Sequence, residues 1–207
     1  AEKFWNELEK DPKRLKAALI EAQCIPMVAG TYVRGLNGDM KAAEDLYRLL
    51  DEEAFKHLDI LEEHGATPEI LASPSQLATL LFETWGLPVI KTTPKGQPST
   101  DKETLHELFT TVEDPRADAI RRYREARNNQ NKFAEGMIDS LKYNGDGCTR
   151  PGFRIFGTYT GRGTFSSKQG KGKSERPTGI ALHQMKGDKG GKLDKHYRKM
   201  VVAPEGY

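Results

Sequence analysis

The apolar positions of the first 140 residues recur at helical spacing. Trp5 and Leu8, then Leu15, Ala18, Leu19 and Ala22, mark two helices. Asp11-Pro12 divides them, because Asp caps a helix and Pro suits its first turn. Gly30, Gly35 and Asn37-Gly38-Asp39 then read as a turn-rich stretch. Ala43, Leu46, Leu50, Ala54, Leu58 and Leu61 form a single stripe, the clearest helix of the chain, and Gly65 ends it. Ser73-Pro74-Ser75-Gln76 is a capping box with Pro at the first helical position. It opens a stripe through Leu77, Leu80, Leu81 and Trp85 that Gly86 stops.

Thr100-Asp101-Lys102-Glu103 is a second capping box, ahead of Leu105, Leu108 and Phe109. Asp114-Pro115 starts a further helix. Ile120, Tyr123, Phe133, Met137 and Leu141 carry its register to Lys142, a length of ~27 residues or ~40 Å. Its middle, Asn128-Asn129-Gln130-Asn131-Lys132, is polar. Two readings fit: a solvated stretch, or a helix that spans two domains and faces a polar ligand.

The style changes after Asn144-Gly145-Asp146-Gly147. Residues 154–159 predict a strand with Phe153, Ile155, Phe156 and Tyr159 as its bulky side chains. Thr160-Gly161-Arg162-Gly163 signals a turn, and Thr164-Phe165 begins a returning strand. Residues 166–195 are polar, basic and Gly-rich around Ile180-Ala181-Leu182. Residues 198–203 read as the start of another strand. The fold class is therefore α+β, mainly α.

Composition changes the picture in one place. Apolar residues are 36% of 207, so the core is modest or a surface is shared. No apolar run approaches the ~18 residues of a membrane span, and no signal peptide opens the chain. Two cysteines, Cys24 and Cys148, cannot build a disulfide framework. A soluble protein of a reducing compartment is expected, with no membrane partner. The net charge of +2 hides an asymmetry. Residues 150–207 hold 13 Lys/Arg against 4 Asp/Glu, leaving 19 against 26 for the rest. A basic, Gly-rich segment fits a polyanion partner, and a basic linker has the same composition.

Candidate chemistry is sparse. Gly172-Lys173-Ser174 resembles the end of a phosphate-binding P-loop, but position 167 is Ser where the motif needs Gly. His57, His64, His106, His183 and His196 form no pair at metal-ligand spacing, so no metal site is expected. No G-x-S-x-G elbow is present. Acidic groups such as Asp51-Glu52-Glu53 lie on exposed helix faces. The segment 87–101 differs. It joins two capped helices through Lys91, Thr92, Thr93, Pro94, Lys95, Gly96, Gln97, Pro98, Ser99 and Thr100. Such a loop offers ammonium, hydroxyl and backbone N–H donors to phosphates without reading sequence.

Four blocks in order carry a family resemblance. The first is Ser73-Pro74-Ser75-Gln76-Leu77 with Leu81-Phe82, Leu87-Pro88-Val89 and Lys91-Thr92-Thr93-Pro94-Lys95-Gly96-Gln97-Pro98-Ser99-Thr100-Asp101. The second is Asp114-Pro115-Arg116 with Tyr123-Arg124. The third is Thr158-Tyr159-Thr160-Gly161-Arg162. The fourth is Arg198-Lys199-Met200-Val201-Val202-Ala203-Pro204-Glu205-Gly206-Tyr207. Together they resemble the family A DNA polymerases, relatives of bacterial DNA polymerase I that include many bacteriophage enzymes. The match covers roughly residues 30–207. It departs after T-G-R, where the family's amide-rich stretch is largely replaced by charge in residues 168–177. In the long helix Gln130 stands near an expected Lys, with Lys132 close by.

The resemblance implies a division into an N-terminal helical segment (1–29), a thumb with its long helix (30–142) and the N-terminal part of a palm (143–207). It implies DNA replication chemistry: nucleotidyl transfer onto a primer 3′ end, with Mg²⁺ held by carboxylates that the family places beyond Tyr207. This chain would then be part of a split or truncated polymerase, inactive alone, in a bacterial or phage-infected cytoplasm. Its partners would be primer-template DNA and the C-terminal palm and fingers. It would position DNA through Lys91, Lys95, Ser99, Thr100 and Arg124, through Lys132, through Thr160 and Arg162 at the primer end, and through Ser166, Ser167, Lys168, Lys171, Lys173 and Arg176. Two alternatives stay open: a non-catalytic DNA-binding module, and an interaction subunit whose basic tail binds an acidic protein.

Overall fold

The structure is a computed structural model and describes residues 2–155, 157–160, 162–169, 175–187, 191 and 193–203. The expected contacts Lys171 and Lys173, the P-loop-like Gly172-Lys173-Ser174, Phe156, Gly161 and residues 204–207 lie outside them.

In chain order the elements are α1 (Glu2–Glu9), α2 (Pro12–Arg34), β1 (Leu36–Asn37), α3 (Met40–Glu62), α4 (Pro68–Ala72), α5 (Pro74–Ala78), a π-helical turn (Thr79–Thr84), α6 (Lys102–Val112), α7 (Pro115–Asn129), a second π-helical turn (Gln130–Glu135), α8 (Gly136–Asn144), β2 (Cys148–Thr149), β3 (Gly152–Arg154), β4 (Thr164–Ser166), a short 3₁₀ turn (Leu182–Gln184) and α9 (Asp194–Lys199). The fold is mainly α, with β1 antiparallel to β2 and β3 antiparallel to β4. Phe153 faces Phe165 across the second pair, their rings 4.9 Å apart.

The chain divides into two compact units: Ala1–Glu44 with Lys132–Tyr207, and Asp45–Asn131. The division falls inside α3 and inside the helix that runs through residues 115–144.

The unit Asp45–Asn131 is built on one apolar core. Ala54, Leu58 and Leu61 of α3 pack with Leu71, Leu77, Leu81, Leu105, Leu108, Ile120 and Tyr123. The caps that start its helices are local. Ser73 Oγ accepts from the N–H of Gln76, and Asp114 Oδ1 accepts from the N–H of Arg116 at 2.9 Å. The α6 cap is shifted from expectation. Asp101, not Thr100, is the N-cap, its carboxylate accepting from Thr104 N–H at 2.8 Å. The stripe after Ser73 does not continue as an α-helix either. It turns to π geometry at Thr79, which keeps Leu80 and Leu81 buried. The polar middle of the long helix is half buried. Gln130 is 1% exposed and donates through Nε2 to the Tyr47 carbonyl and to Asp51. Arg127 also reaches Asp51.

In the other unit α2 starts on Asp11, whose side chain accepts from Lys13 and Arg14 N–H. Gly30 lies inside this helix, which ends only at Gly35, a glycine at φ +70°. None of the residues of α2 is buried, and Ile25 and Val33 are exposed. Two strand expectations are corrected. The strand placed at 154–159 is instead Gly152–Arg154, because Ile155 already turns. The strand placed at 198–203 is met only in its second half, where Val201 bridges Gly38 and the Val202 N–H donates to the Asn37 carbonyl; Arg198 and Lys199 instead close helix α9. Its acidic first turn and basic last turn suit a helix, and Tyr197 and Met200 bury together three residues apart.

Candidate nucleic-acid interface

The loop 86–101 is a small, braced hairpin. Thr92 bridges Pro98, the Ser99 N–H donates to the Lys91 carbonyl at 2.8 Å, and the Thr93 N–H donates to the Gln97 carbonyl at 2.7 Å. Gly96 closes the tip at φ +78°, a left-handed position that a residue with a side chain rarely takes. Its N–H donates to the Thr93 carbonyl. Lys95 stands exposed at that tip, with no side-chain partner among the described residues.

The other candidates of this unit are engaged with the protein. Lys91 Nζ lies 3.0 Å from Asp101 Oδ2 and 3.1 Å from Glu103 Oε2, and these two carboxylates raise its pKa. Ser99 and Thr100 are buried, with Ser99 Oγ accepting from the Asp101 N–H. Arg124 turns inward. Its Nε and Nη2 donate to the Leu71 carbonyl at 3.0 and 2.9 Å, and its Nη1 donates to the Thr100 carbonyl at 2.8 Å. Burial lowers its pKa, but a guanidinium remains charged at neutral pH.

Asp101 is the part of this arrangement that sequence reasoning assigned no site role. The Thr104 N–H first, and the Lys91 ammonium second, hold its carboxyl far below the usual carboxylate range. A depressed folded pKa contributes stability above the unfolded value near ~4, and that stability is lost as pH falls below it. Asp101→Asn is therefore expected to be less stable than the native chain at pH 6. The gap should narrow steadily as pH falls from about 4 to about 2, followed by circular dichroism during acid titration. A gap that persists undiminished at pH 2 contradicts the assignment.

The second group lies in the other unit. Arg162 is exposed in the connection between β3 and β4. Its N–H donates to Thr158 Oγ1 at 3.0 Å and its carbonyl accepts from Gly157, while its guanidinium has no partner among the described residues. Thr160 is exposed, its hydroxyl 3.0 Å from that of Thr158. Ser166 Oγ donates to the Gly152 carbonyl, and the Ser167 carbonyl accepts from Gly179. Lys168 pairs with Glu175 at 3.1 Å, and Gln169 and Arg176 exchange backbone hydrogen bonds. Lys132 lies in the second π turn, its ammonium 5.6 Å from the ring centre of Phe133. The described candidates thus form two groups, one in each unit; the side chains of Lys95, Arg162 and Arg176 are exposed and take no partner among the described residues.

The family model of DNA polymerase family A matches residues 41–169. This chain belongs to the family A DNA polymerases. It is 32% identical to the DNA polymerase of Escherichia phage T5 over 168 residues, 81% of this chain and 17% of that polymerase. It is 34% identical to the DNA polymerase of Bacillus phage SP01 over 90 residues, 44% of this chain and 9% of that polymerase. The family A chain therefore spans a small part of these curated relatives. Its fold is similar to the POL domain of Pol1 from M. smegmatis, solved in complex with DNA primer-template and dNTP. The TM-score is 0.70 at 22% identity, covering 87% of this chain and 29% of that one.

Polymerases of this family generally use divalent metal ions. Among the described residues no group of three or more His, Cys, Asp or Glu side chains is placed to hold one. Among the same residues no helix is long and apolar enough to cross a membrane.

Proposed function

We propose that this chain is the DNA-positioning part of a template-directed DNA polymerase. It is a thumb with the first strands of a palm, and it is inactive in nucleotidyl transfer by itself. The observation that carries the reading is the braced hairpin that holds Lys95 at an exposed tip, within a segment matched by the polymerase family. An ammonium on a rigid tip meets phosphates equally well on any sequence. Arg162, with Thr160, Ser166 and Ser167 nearby in the chain, addresses the primer end. Minor-groove acceptors there are common to every base pair, so one Arg can sense pairing geometry without choosing a base. Lys132, Lys168, Lys171, Lys173 and Arg176 add positive charge along the duplex. The carboxylates that bind Mg²⁺, with the rest of palm and fingers, come from outside this chain.

The experiment is fluorescence titration of primer-template DNA with this chain across a salt series, alongside primer extension with Mg²⁺ and dNTPs. Salt-sensitive binding without extension is expected. Lys95→Ala should weaken binding alike on unrelated sequences and reduce the slope of log K against log salt by about 1. Extension by this chain alone, or a Lys95→Ala effect confined to one template sequence, contradicts the proposal. Equal affinity for an acidic protein and for DNA favours the interaction subunit.

A further inference from the structure

We infer that Arg124 is a positioning residue, a latch that fixes the Lys95 hairpin, and that it does not itself touch DNA. The inference rests on the DNA-positioning reading and gives Arg124 a different role from the place along the duplex that the family resemblance implies.

The guanidinium has five N–H donors in a rigid fork. Here all three nitrogens donate to main-chain carbonyls, two to Leu71 and one to Thr100. Those carbonyls are far away in the chain. Leu71 lies in the last turn of α4, two residues before the Ser73 cap of α5, and Thr100 is the last residue before the Asp101 cap of α6. One side chain on α7 thus ties the C-terminal base of the hairpin, at Thr100, to the end region of α4. The hairpin base is closed from the other side by Lys91 on Asp101 and Glu103. Thr100 and Ser99 are buried at this base, whereas Lys95 at the tip is not. A carbonyl accepting from a charged donor in a part-buried place is a strong, directional bond. A lysine could supply the charge but not the three-way fork.

A latch and a phosphate contact give different signatures. With the latch, Arg124→Lys and Arg124→Met both raise amide hydrogen exchange at residues 92–100 in the DNA-free chain. Both weaken primer-template binding several-fold and leave the salt slope unchanged, because no phosphate contact is lost. Lys95→Ala does the reverse: the slope falls by about 1 and exchange is unaltered. With a direct contact, Arg124→Lys would retain most of the affinity, exchange would stay low, and Arg124→Met would lose one unit of slope. That pattern overturns the inference. A measurement on the native chain guards against variants that fail to fold. The Arg124 Nε–H signal in a ¹⁵N spectrum should exchange slowly and stay in place when primer-template DNA is added. A fast-exchanging signal, or one that moves with DNA, overturns the latch. A native chain that binds no DNA removes the DNA-positioning reading alone, and the exchange comparison still decides the latch.

Discussion

Arg162→Ala in the complete polymerase is expected to slow primer extension on the order of 10-fold or more while changing primer-template affinity by about 2- to 3-fold. The asymmetry follows from where the residue sits and what it can reach. Its backbone is held on both sides, by Thr158 Oγ1 and by the Gly157 N–H. Its side chain has no partner among the described residues, so truncation leaves no buried group unsatisfied and the β3–β4 connection intact. One cation among the several of this chain contributes at most about one released counterion to affinity. In the proposed role at the primer end its contribution to rate would be larger, because the primer end must meet the nucleotide within a narrow geometry and misplacement by ~1 Å can cost ~100-fold. Single-turnover extension and equilibrium binding measured on the same DNA separate the two quantities. Equal losses in both, or no loss in either, would remove Arg162 from the primer end.

How far the sequence carries this picture depends on the range of the interaction. Asp11, Ser73 and Asp114 are legible as caps because an N-cap acts within three residues. The cap of α6 slips by one position for a long-range reason. Both Thr100 and Asp101 have the right chemistry, and Asp101 also takes the ammonium of Lys91 from across the hairpin. Arg124 shows the limit more sharply. Tyr123-Arg124 is readable as a family motif, but its acceptors lie 53 and 24 residues away and are main-chain atoms, so no side-chain pattern announces them. Residues 198–203 fail in another way. Six residues cannot distinguish period 2 from 3.6, so the sequence does not show that helix α9 takes Arg198 and Lys199 before Val201 pairs with Gly38. The π turns at 79 and 130 are likewise invisible, since one extra residue in a turn barely disturbs an apolar stripe. The family itself was legible because its motifs are ordered along the chain and need no contact to be seen.

Leu108→Ala is expected to destabilise the unit Asp45–Asn131 by ~2–5 kcal/mol, and Phe109→Ala by under ~1.5 kcal/mol, although Phe is the larger side chain. The sequence places both on one stripe. In the structure Leu108 is 0% exposed within the core that contains Leu61, Leu105 and Ile120, whereas Phe109 is 38% exposed. Removing Leu108 leaves a cavity that its neighbours close only partly, while Phe109 gives up contacts already shared with water. The ordering reports the rotation of α6 about its axis, and that rotation matters for the site. α6 begins at Lys102, directly after the Asp101 cap, so the face it buries also sets the directions of the Thr100 carbonyl towards Arg124 and of the Asp101 carboxylate towards Lys91. Chemical denaturation of the two variants gives the comparison. A larger cost for Phe109→Ala would mean that α6 is turned by about one residue, a rotation of ~100°. The Thr100 carbonyl could not then accept from Arg124, and the brace beneath the Lys95 hairpin would be lost with it.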